Sequence, residues 1–275
     1  MIKSIAIQGA EGSNHHKVAR DFYGDNIALK ECLSFDVLVD SLLDGSSGQA
    51  IMALENTIAG SIIPNYALLD KNNLHICGER YLNIHHHLMA LPNQSIEDIN
   101  EVCSHPMALL QCKEFFKKYK HIKLVEDVDT AEVAKRIAKK QLKGVAAIAP
   151  KIAAEIFGLE IIEDDIQTIK DNATRFVIIQ TERPKNGIDQ INKASLKFEL
   201  SSKRGSLATI LNVMSDCKMN LTKIQSLPII EKPWMYAFFV DVTFEDYNDF
   251  TKAKAIIEIM ATDFKVLGEY KNAKL

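Results

Sequence analysis

The fold of this protein is decided by residues 101–148, which read EVCSHPMALLQCKEFFKKYKHIKLVEDVDTAEVAKRIAKKQLKGVAAI. Short apolar segments alternate in this stretch with longer segments whose apolar residues recur at helical spacing. Strands that alternate with helices are typical of an α/β architecture. The predicted elements are the strands Glu101–Ser104, Lys123–Val125 and Val145–Ile148 and the helices Met107–Tyr119 and Thr130–Lys140.

The alternation extends in both directions and ends in the polar segment Glu182–Gly187, which contains Pro184 and Gly187. Proline and glycine in a polar stretch favour a linker, so we predict a domain boundary there. Before the boundary we predict the strands Ser4–Gln8, Gln49–Leu54 and Arg175–Gln180, the β-rich segment Leu74–Leu91, and the helices His16–Tyr23, Phe35–Leu43, Ile62–Leu69 and Ile152–Phe157.

Beyond the boundary, the predicted order is strand, helix, strand, strand, helix, strand, which is typical of a ferredoxin-like α+β domain. Such a domain has an open sheet that often pairs with a second copy, so we expect a homo-oligomer. The predicted elements are the strands Ser195–Leu200, Leu221–Leu227, Met235–Thr243 and Phe264–Tyr270 and the helices Leu207–Cys217 and Phe250–Thr262.

Composition and charge argue against several classes of function. The 275 residues are 47% hydrophobic and carry a formal net charge of −3, so we expect binding neither to nucleic acid nor to an anionic membrane. No apolar run approaches the roughly 18 residues of a membrane span, and no signal-peptide pattern is expected. The five scattered cysteines form no C-x-x-C pair, which favours reduced thiols in the cytoplasm.

Polar residues and glycines follow several predicted strands, where an open α/β sheet binds its ligands. Gly9-Ala10-Glu11-Gly12-Ser13 either presents backbone N–H groups to an anion or is a plain turn. Glu55-Asn56-Thr57 either lines a cleft or caps a helix. Ser104-His105-Pro106 is weaker, because Ser-His before a helix is also a common cap. The residues alone leave these interpretations open.

Two further segments have competing interpretations. In Asn172-Ala173-Thr174-Arg175-Phe176, the residues alone favour an ordinary strand with Phe176 in the core and Arg175 at the surface. The run His85-His86-His87 suggests a metal ion, but consecutive strand residues point to opposite faces. Neither an H-E-x-x-H motif nor a cysteine companion accompanies the run, so we predict no metal site.

Taken in order, these segments resemble the motifs of the prephenate dehydratase family over essentially the whole chain. The match to N-x-T-R-F at Asn172–Phe176 is complete. The other matches are Gly9–His16 to G-P-x-G-T-F-S-H, Ala53–Gly60 to P-V-E-N-S-x-E-G, Ser104–Leu109 to S-H-P-Q-A-L, Gly205–Leu207 to the G-A-L of an ACT domain, and Gln225–Pro228 to E-S-R-P. Each motif is short, and their common order carries the resemblance.

The resemblance implies a reaction in L-phenylalanine biosynthesis, the conversion of prephenate to phenylpyruvate with loss of water and carbon dioxide, without metal or cofactor. It implies an α/β catalytic domain of two lobes around a cleft, similar to periplasmic binding proteins, followed by an α+β ferredoxin-like ACT regulatory domain. The implied bounds are 1–182 for the catalytic domain, with lobe 1 at about 1–77 and 163–182 and lobe 2 at about 78–162, and 193–275 for the ACT domain.

The resemblance also implies roles for single residues. Thr174 would donate a hydrogen bond to the departing oxygen, with Glu55 and Asn56 beside it in the catalytic group. Arg175 would either pair with a substrate carboxylate or point away and brace the lobe. The residues implied to bind substrate are Ser13, Thr57, Ser104, Asn172, Arg175 and Phe176.

In the ACT domain, the family binds L-phenylalanine as an inhibitor, and assembly as a homodimer or homotetramer is expected through this domain. Gln225 and Leu227 replace a charged pair of the family pattern, which weakens the expected coupling to the active site. Ala59 and Met107 are departures near the site that raise arogenate as an alternative substrate. The residues implied to bind the effector are Gly205, Ser206, Leu207, Asn220, Gln225 and Ser226.

The remaining alternatives are a non-catalytic small-ligand-binding protein and a purely regulatory, effector-sensing protein whose first half has lost its activity. A two-lobed cleft also suits the capture of small molecules, and the departures from the family motifs are compatible with lost activity. The intact motif around Thr174 and the Glu55-Asn56 pair argue for an enzyme.

Overall fold

The computed structural model describes residues 4–184 and 191–274. The chain divides into a first unit, Met1–Gly60 with Leu82–Phe176, and a second unit, Ser61–Tyr81 with Val177–Leu275. Lys185, Asn186 and Gly187 of the expected boundary segment lie outside the described residues. The domain bounds given above therefore stay predictions.

In chain order, the strands and helices are β1 (Ile5–Gln8), α1 (Asn14–Tyr23), β2 (Leu29–Cys32), α2 (Phe35–Leu43), β3 (Gln49–Asn56), β4 (Gly60–Ser61), α3 (Ile63–Lys71), β5 (His75–Asn83), β6 (His87–Ala90), β7 (Glu101–Ser104), α4 (Pro106–Phe116), β8 (Lys123–Glu126), α5 (Thr130–Lys140), β9 (Val145–Ala149), α6 (Lys151–Phe157), β10 (Glu160–Glu163), β11 (Ala173–Gln180), β12 (Lys193–Glu199), α7 (Ser206–Asp216), β13 (Asn220–Pro228), β14 (Tyr236–Thr243), α8 (Tyr247–Met260) and β15 (Asp263–Tyr270). None of the helices in the described part of the chain is both long enough and apolar enough to cross a membrane.

The first unit begins with three parallel strands. β1 lies between β2 and β3, with Ile5 opposite both Leu29 and Gln49. Ile7 and Ile51 are fully buried in these strands. Because parallel strands are covered on both faces, their side chains are apolar almost without interruption.

The second sheet of the first unit has the strand order β10-β6-β9-β7-β8. Alternate residues of its strands enter two separate cores, so that Val102 packs in one and Cys103 in the other. Helix α4 contributes to the first core, and α5 and α6 contribute to the second. The start of α5 is fixed by Asp129, whose carboxylate accepts the N–H groups of Ala131 and Glu132, both at 2.9 Å.

Several bounds differ from the prediction for identifiable reasons. The strands β2 and β10 were not predicted, because they are short, partly polar strands that end their sheets. Helix α8 begins at Tyr247 rather than Phe250, because the Asp246 carboxylate caps it through the N–H of Asn248. The first strand of the second sheet, β6, begins at His87.

The second unit contains the predicted order of strand, helix, strand, strand, helix, strand in β12 to β15. Its strands lie in the order β13-β14-β12-β15 and are antiparallel, with β5 parallel to β15. Phe198, Phe250 and Ile257 are among the fully buried residues of its core. The pairing of Gly268 with Ile76 is close, because a Cβ at Gly268 would lie 2.3 Å from the Ile76 carbonyl oxygen.

The other face of β12 is polar and nevertheless buried. The ammonium group of Lys193 is 2.8 Å and 3.0 Å from the two carboxylate oxygens of Glu79, and both residues are almost inaccessible. Lys197 contacts the carboxylates of Glu199, at 2.8 Å, and Asp263, and lies 3.6 Å from that of Asp70. Segment Ser61–Tyr81 therefore supplies the countercharge of Lys193 and part of that of Lys197.

We expect Glu79→Ala to lower the free energy of unfolding by about 3–5 kcal/mol, because it removes the carboxylate that faces a buried ammonium group. The measurement is urea denaturation followed by circular dichroism. Asp21→Ala is the control, since it removes an exposed ion pair with Lys17 and should cost at most about 1 kcal/mol. Equal effects of the two variants would contradict the importance of the buried pair.

Candidate active site

Asn56 stands at the end of β3 and closes a tight turn with its side chain. Its Oδ1 accepts the N–H groups of Ile58 at 3.0 Å and Ala59 at 2.9 Å. Because a backbone N–H can only donate, this contact fixes which end of the amide is oxygen. The amide nitrogen of Asn56 must point in the opposite direction. Its neighbour Glu55 is half-buried.

The amide nitrogen of Asn56 faces the start of β11. It lies 2.6 Å from Oδ1 of Asn172, 2.9 Å from Oγ1 of Thr174 and 3.3 Å from the carbonyl oxygen of Ala173. The Thr174 hydroxyl therefore accepts a hydrogen bond from Asn56, and its own proton is available to another acceptor. Thr174 is only 8% exposed.

Two further residues, Gln111 and His86, extend this group. The Asn172 side-chain nitrogen donates to Oε1 of Gln111 at 3.0 Å, and Nε2 of His86 lies 2.8 Å from the same oxygen. Neither residue is predicted for this site from the sequence, where His86 is considered only as a metal ligand. The available signal for Gln111 was its place in α4 beside the buried Cys112 and three residues after the buried Ala108, where a polar side chain is unexpected.

Thr57 fixes the start of β11 from the other side. Its N–H donates to the Ala173 carbonyl oxygen, and its hydroxyl accepts the Ala173 N–H, both at 2.9 Å. This pairing explains why β11 begins at Ala173 rather than at the predicted Arg175. Thr57 is exposed, and its hydroxyl proton is not used in this pairing. The predicted contact of Thr57 with substrate would use that proton.

The side chains of Ser13 and Ser104 have structural hydrogen bonds. Ser13 caps α1 by accepting the N–H of His16 at 3.3 Å, and the Ser104 hydroxyl donates to the Ile148 carbonyl oxygen at 2.7 Å. The Gly12 N–H donates to Nδ1 of His16 at 3.0 Å, so the binding of an anion by the N–H groups near Gly12 stays a prediction.

Arg175 and Phe176 are both buried, at 3% and 2% exposure. The prediction from the residues alone that Arg175 lies at the surface is therefore wrong. The prediction from the same pattern that Phe176 lies in the core is confirmed. The Phe176 ring meets the ring of His15 edge-on, with centroids 4.9 Å apart. Nε2 of His15 is buried and has no hydrogen-bond partner among the described residues. Burial lowers the pKa of His15 to about 3, so this imidazole is neutral near pH 7.

The histidines of residues 85–87 point to opposite faces in alternation, as expected for an extended segment. Nδ1 of His85 lies 2.7 Å from the Asp165 carboxylate, and Nδ1 of His87 lies 2.9 Å from that of Asp164. Within residues 4–184 and 191–274, no group of three or more His, Cys, Asp or Glu side chains has an arrangement that could hold a metal ion.

The expected effector residues are only partly brought together. Ser206 and Leu207 line a cavity of about 240 Å³, together with Trp234, Tyr236 and Phe238. Gly205, with φ of 83°, is the residue immediately before α7. The other expected residues, Asn220, Gln225 and Ser226, lie on β13 and do not line this cavity.

Comparison with known proteins gives consistent results. A family model described as prephenate dehydratase matches residues 5–184. The chain is 36% identical to the arogenate dehydratase/prephenate dehydratase 2 of Arabidopsis thaliana, a chloroplastic protein, over 97% of this chain and 72% of that one.

Two solved structures are similar over almost the whole chain. A protein described as GqqA, a novel type of quorum quenching acylase, superposes with a TM-score of 0.86 at 25% identity and 97% coverage of both chains. A prephenate dehydratase from Arthrobacter aurescens in complex with L-Phe superposes with a TM-score of 0.84 at 21% identity, covering 98% of this chain and 90% of that one. At this identity, the second similarity shows the fold.

The low pKa of His15 predicts a pH-dependent stability. The unfolded chain binds a proton at this residue near pH 6.5, and the folded chain does so only near pH 3. As the pH falls from 6.5 towards 3, unfolding is therefore favoured by up to about 1.4 kcal/mol per pH unit. His15→Leu should lack this loss of stability at low pH. The measurement is the free energy of unfolding from urea denaturation between pH 4 and 7.

The control for this experiment is His85→Leu, which changes a half-exposed imidazole and should keep the contribution of His15. If wild type and His15→Leu lose stability in parallel as the pH falls, His15 is not the group responsible.

Proposed function

We propose that this chain, since it belongs to the prephenate dehydratase family, converts prephenate to phenylpyruvate with loss of water and carbon dioxide. The members named above as dehydratases are hydro-lyases. The choice of prephenate as substrate, the roles of single residues and the regulation are proposals.

In the proposed reaction, the bond between the ring and its carboxylate breaks, and carbon dioxide leaves. The electron pair of that bond enters the ring, which becomes aromatic as the bond to the hydroxyl group breaks. The departing hydroxide takes up one proton and leaves as water. Atoms and charges balance without an oxidant or reductant, and the enzyme has to supply a hydrogen-bond donor at the departing oxygen.

The observation that carries this proposal is the 2.9 Å hydrogen bond from Asn56 to the Thr174 hydroxyl. A threonine hydroxyl is a weak acid in water, so its contribution depends on being correctly oriented. Because its oxygen accepts from Asn56, its proton can point towards a departing hydroxyl group. Orientation of donors before the reaction is commonly a large part of catalysis.

The remaining residues of the site have supporting roles in this proposal. Asn172 and Thr57 hold the start of β11, and with it Thr174, at the end of β3. Glu55, half-buried beside Asn56, is proposed as the third catalytic residue. Ser13 and Ser104 are proposed to contribute to substrate binding through the ends of α1 and α4 that they shape.

Arogenate, which has an amino group in place of the keto group of prephenate, is the alternative substrate. The similar plant protein carries both activities in its name, which supports testing both. The two substrates differ at the side chain and are identical at the ring, where Thr174 is proposed to act. The position of Thr174 therefore supports the reaction type for either substrate.

We also propose that residues 193–275 form an ACT domain that binds L-phenylalanine and inhibits the enzyme. The order of elements from β12 to β15 and the cavity beside Ser206 and Leu207 support this proposal. The similar Arthrobacter aurescens protein was solved in complex with L-Phe. Assembly as a homodimer or homotetramer through this domain is proposed as well.

A cytoplasmic location is proposed from the cysteines. All five, Cys32, Cys77, Cys103, Cys112 and Cys217, are free thiols. Burial raises the pKa of Cys112 to about 12, so this thiol is unreactive at neutral pH.

The function is tested with purified protein and prephenate or arogenate, with phenylpyruvate or phenylalanine measured as product. We expect Thr174→Ala to lower kcat by roughly 10²–10³, because it removes a positioned donor. Thr174→Ser keeps a hydroxyl group and should retain most of the activity, and it serves as the control for packing. A folded Thr174→Ala protein with near-normal turnover would exclude Thr174 as the donor, and a wild type inactive on both compounds would favour a non-catalytic binding protein.

Inhibition is tested by titrating turnover with L-phenylalanine. We expect a decrease in wild type and a weaker decrease in Leu207→Ala, because Leu207 lines the cavity proposed for the aromatic ring. Ile259→Ala is the control, since this exposed side chain of α8 lies outside the cavity lining. Unchanged turnover of wild type at saturating L-phenylalanine would refute the regulatory proposal.

A further inference from the structure

The middle histidine of residues 85–87 differs from its two neighbours in its surroundings. His85 and His87 each contact an aspartate, whereas His86 points to the other face and is 5% exposed. Its Nε2 lies 2.8 Å from Oε1 of Gln111. This contact connects a histidine to the hydrogen-bonded group around Thr174.

The direction of every hydrogen bond in this group follows from the turn after β3. The N–H groups of Ile58 and Ala59 hold the oxygen of Asn56, so its nitrogen faces Oδ1 of Asn172. The nitrogen of Asn172 then faces Oε1 of Gln111. Each amide has one oxygen end and one nitrogen end, so the orientation of one fixes the next.

The protonation of His86 follows from the same chain of contacts. Oε1 of Gln111 is an acceptor, so the His86 nitrogen that contacts it, Nε2, must carry a proton. Nδ1 of His86 is buried and has no hydrogen-bond partner among the described residues. Burial lowers the pKa of His86, which fits a neutral imidazole whose one proton sits on Nε2.

The backbone prevents both His86 and Gln111 from moving away. The His86 N–H donates to Oε1 of Gln167 at 2.9 Å, and its carbonyl oxygen accepts the Ile166 N–H at 2.8 Å. The Gln111 carbonyl oxygen accepts the Thr168 N–H at 2.9 Å. One short segment, residues 166–168, therefore holds both partners of the contact.

We propose that His86 is a positioning residue for Thr174, acting through the Nε2–H that holds the Gln111 carbonyl group and, through it, the Asn172 amide against Asn56. The inference rests on the proposed role of Thr174. If the Gln111 amide turned over, its NH₂ would face the NH₂ of Asn172, and two donors would oppose each other. Asn172 cannot relieve this by turning, because its oxygen is needed by Asn56, whose own orientation the turn fixes.

Substitution of His86 by glutamine or by asparagine tests which of its two ring nitrogens is needed. The side-chain nitrogen of glutamine lies as many bonds from Cα as Nε2 of histidine, and that of asparagine lies as many as Nδ1. His86→Gln should therefore keep a donor towards Gln111, whereas His86→Asn and His86→Leu should lose it. His85→Gln is the matched control on the other face, and it should keep wild-type kcat within twofold.

We expect His86→Leu and His86→Asn to lower kcat by up to about 10²-fold with little change in KM, since displacement of reacting groups acts mainly on the chemical step. His86→Gln should recover most of the loss. Near-wild-type kcat in a folded His86→Leu protein would overturn the proposal, as would a His86→Gln protein no better than His86→Leu.

The nitrogen-15 spectrum of the wild-type imidazoles gives a readout that does not depend on activity. We expect Nε2 of His86 in the protonated form and Nδ1 in the unprotonated form, together with a shift of the Asn56 side-chain amide signals in His86→Leu. A proton on Nδ1 instead, or unchanged Asn56 signals, would overturn the proposal. A wild type that converts neither prephenate nor arogenate would instead refute the proposed function, whatever the spectra show.

Discussion

The hydrogen bonds of the Asn56 side chain are the constraint on which the site depends. This one amide holds its own turn through Ile58 and Ala59 and reaches Asn172 and Thr174, which lie 116 and 118 residues further along the chain. It joins the end of β3 to the start of β11. Without it, the Thr174 hydroxyl would have no fixed direction, even if the strand itself remained in place.

The Asn56 amide contacts buried polar groups, so a reversed amide would leave donors or acceptors without partners. Leaving a buried donor or acceptor without a partner costs about 1–3 kcal/mol, more than an average hydrogen bond contributes. A group of buried polar side chains is therefore stable in one arrangement of donors and acceptors and poor in any other. Gln111 and His86 belong to that arrangement, although neither contacts Thr174 directly. The orientation of the Thr174 hydroxyl thus depends on polar groups contributed by β3, β11, α4 and the segment before β6.

The second unit shows the same dependence on distant partners. Lys193, Ser195 and Lys197 alternate with apolar residues, a pattern typical of a strand with one face in water, and the apolar face lies in the core. The polar face is buried as well, because Glu79 and Asp70 lie against it. Periodicity states which residues share a face, but it does not state what covers that face. Glu79 and Asp70 precede Lys193 and Lys197 by more than a hundred residues, so no local pattern predicts this coverage, although Glu199 on the same strand also contacts Lys197.

The sequence by itself determined the α/β alternation, most of the helices and strands and the second unit's order of elements, because these depend on local periodicity, capping and turn residues. The motif around Thr174 was recognised only through its resemblance to a family pattern, because the residues alone favour an ordinary strand there. Only the tertiary structure decided that Arg175 is buried, that Ser13 and Ser104 are used by the backbone, and that Gln111 and His86 join the site. Hydrogen-bond direction is a property of pairs brought together by folding. The sequence shows which side chains can donate or accept, and the fold determines which of them form hydrogen bonds with each other.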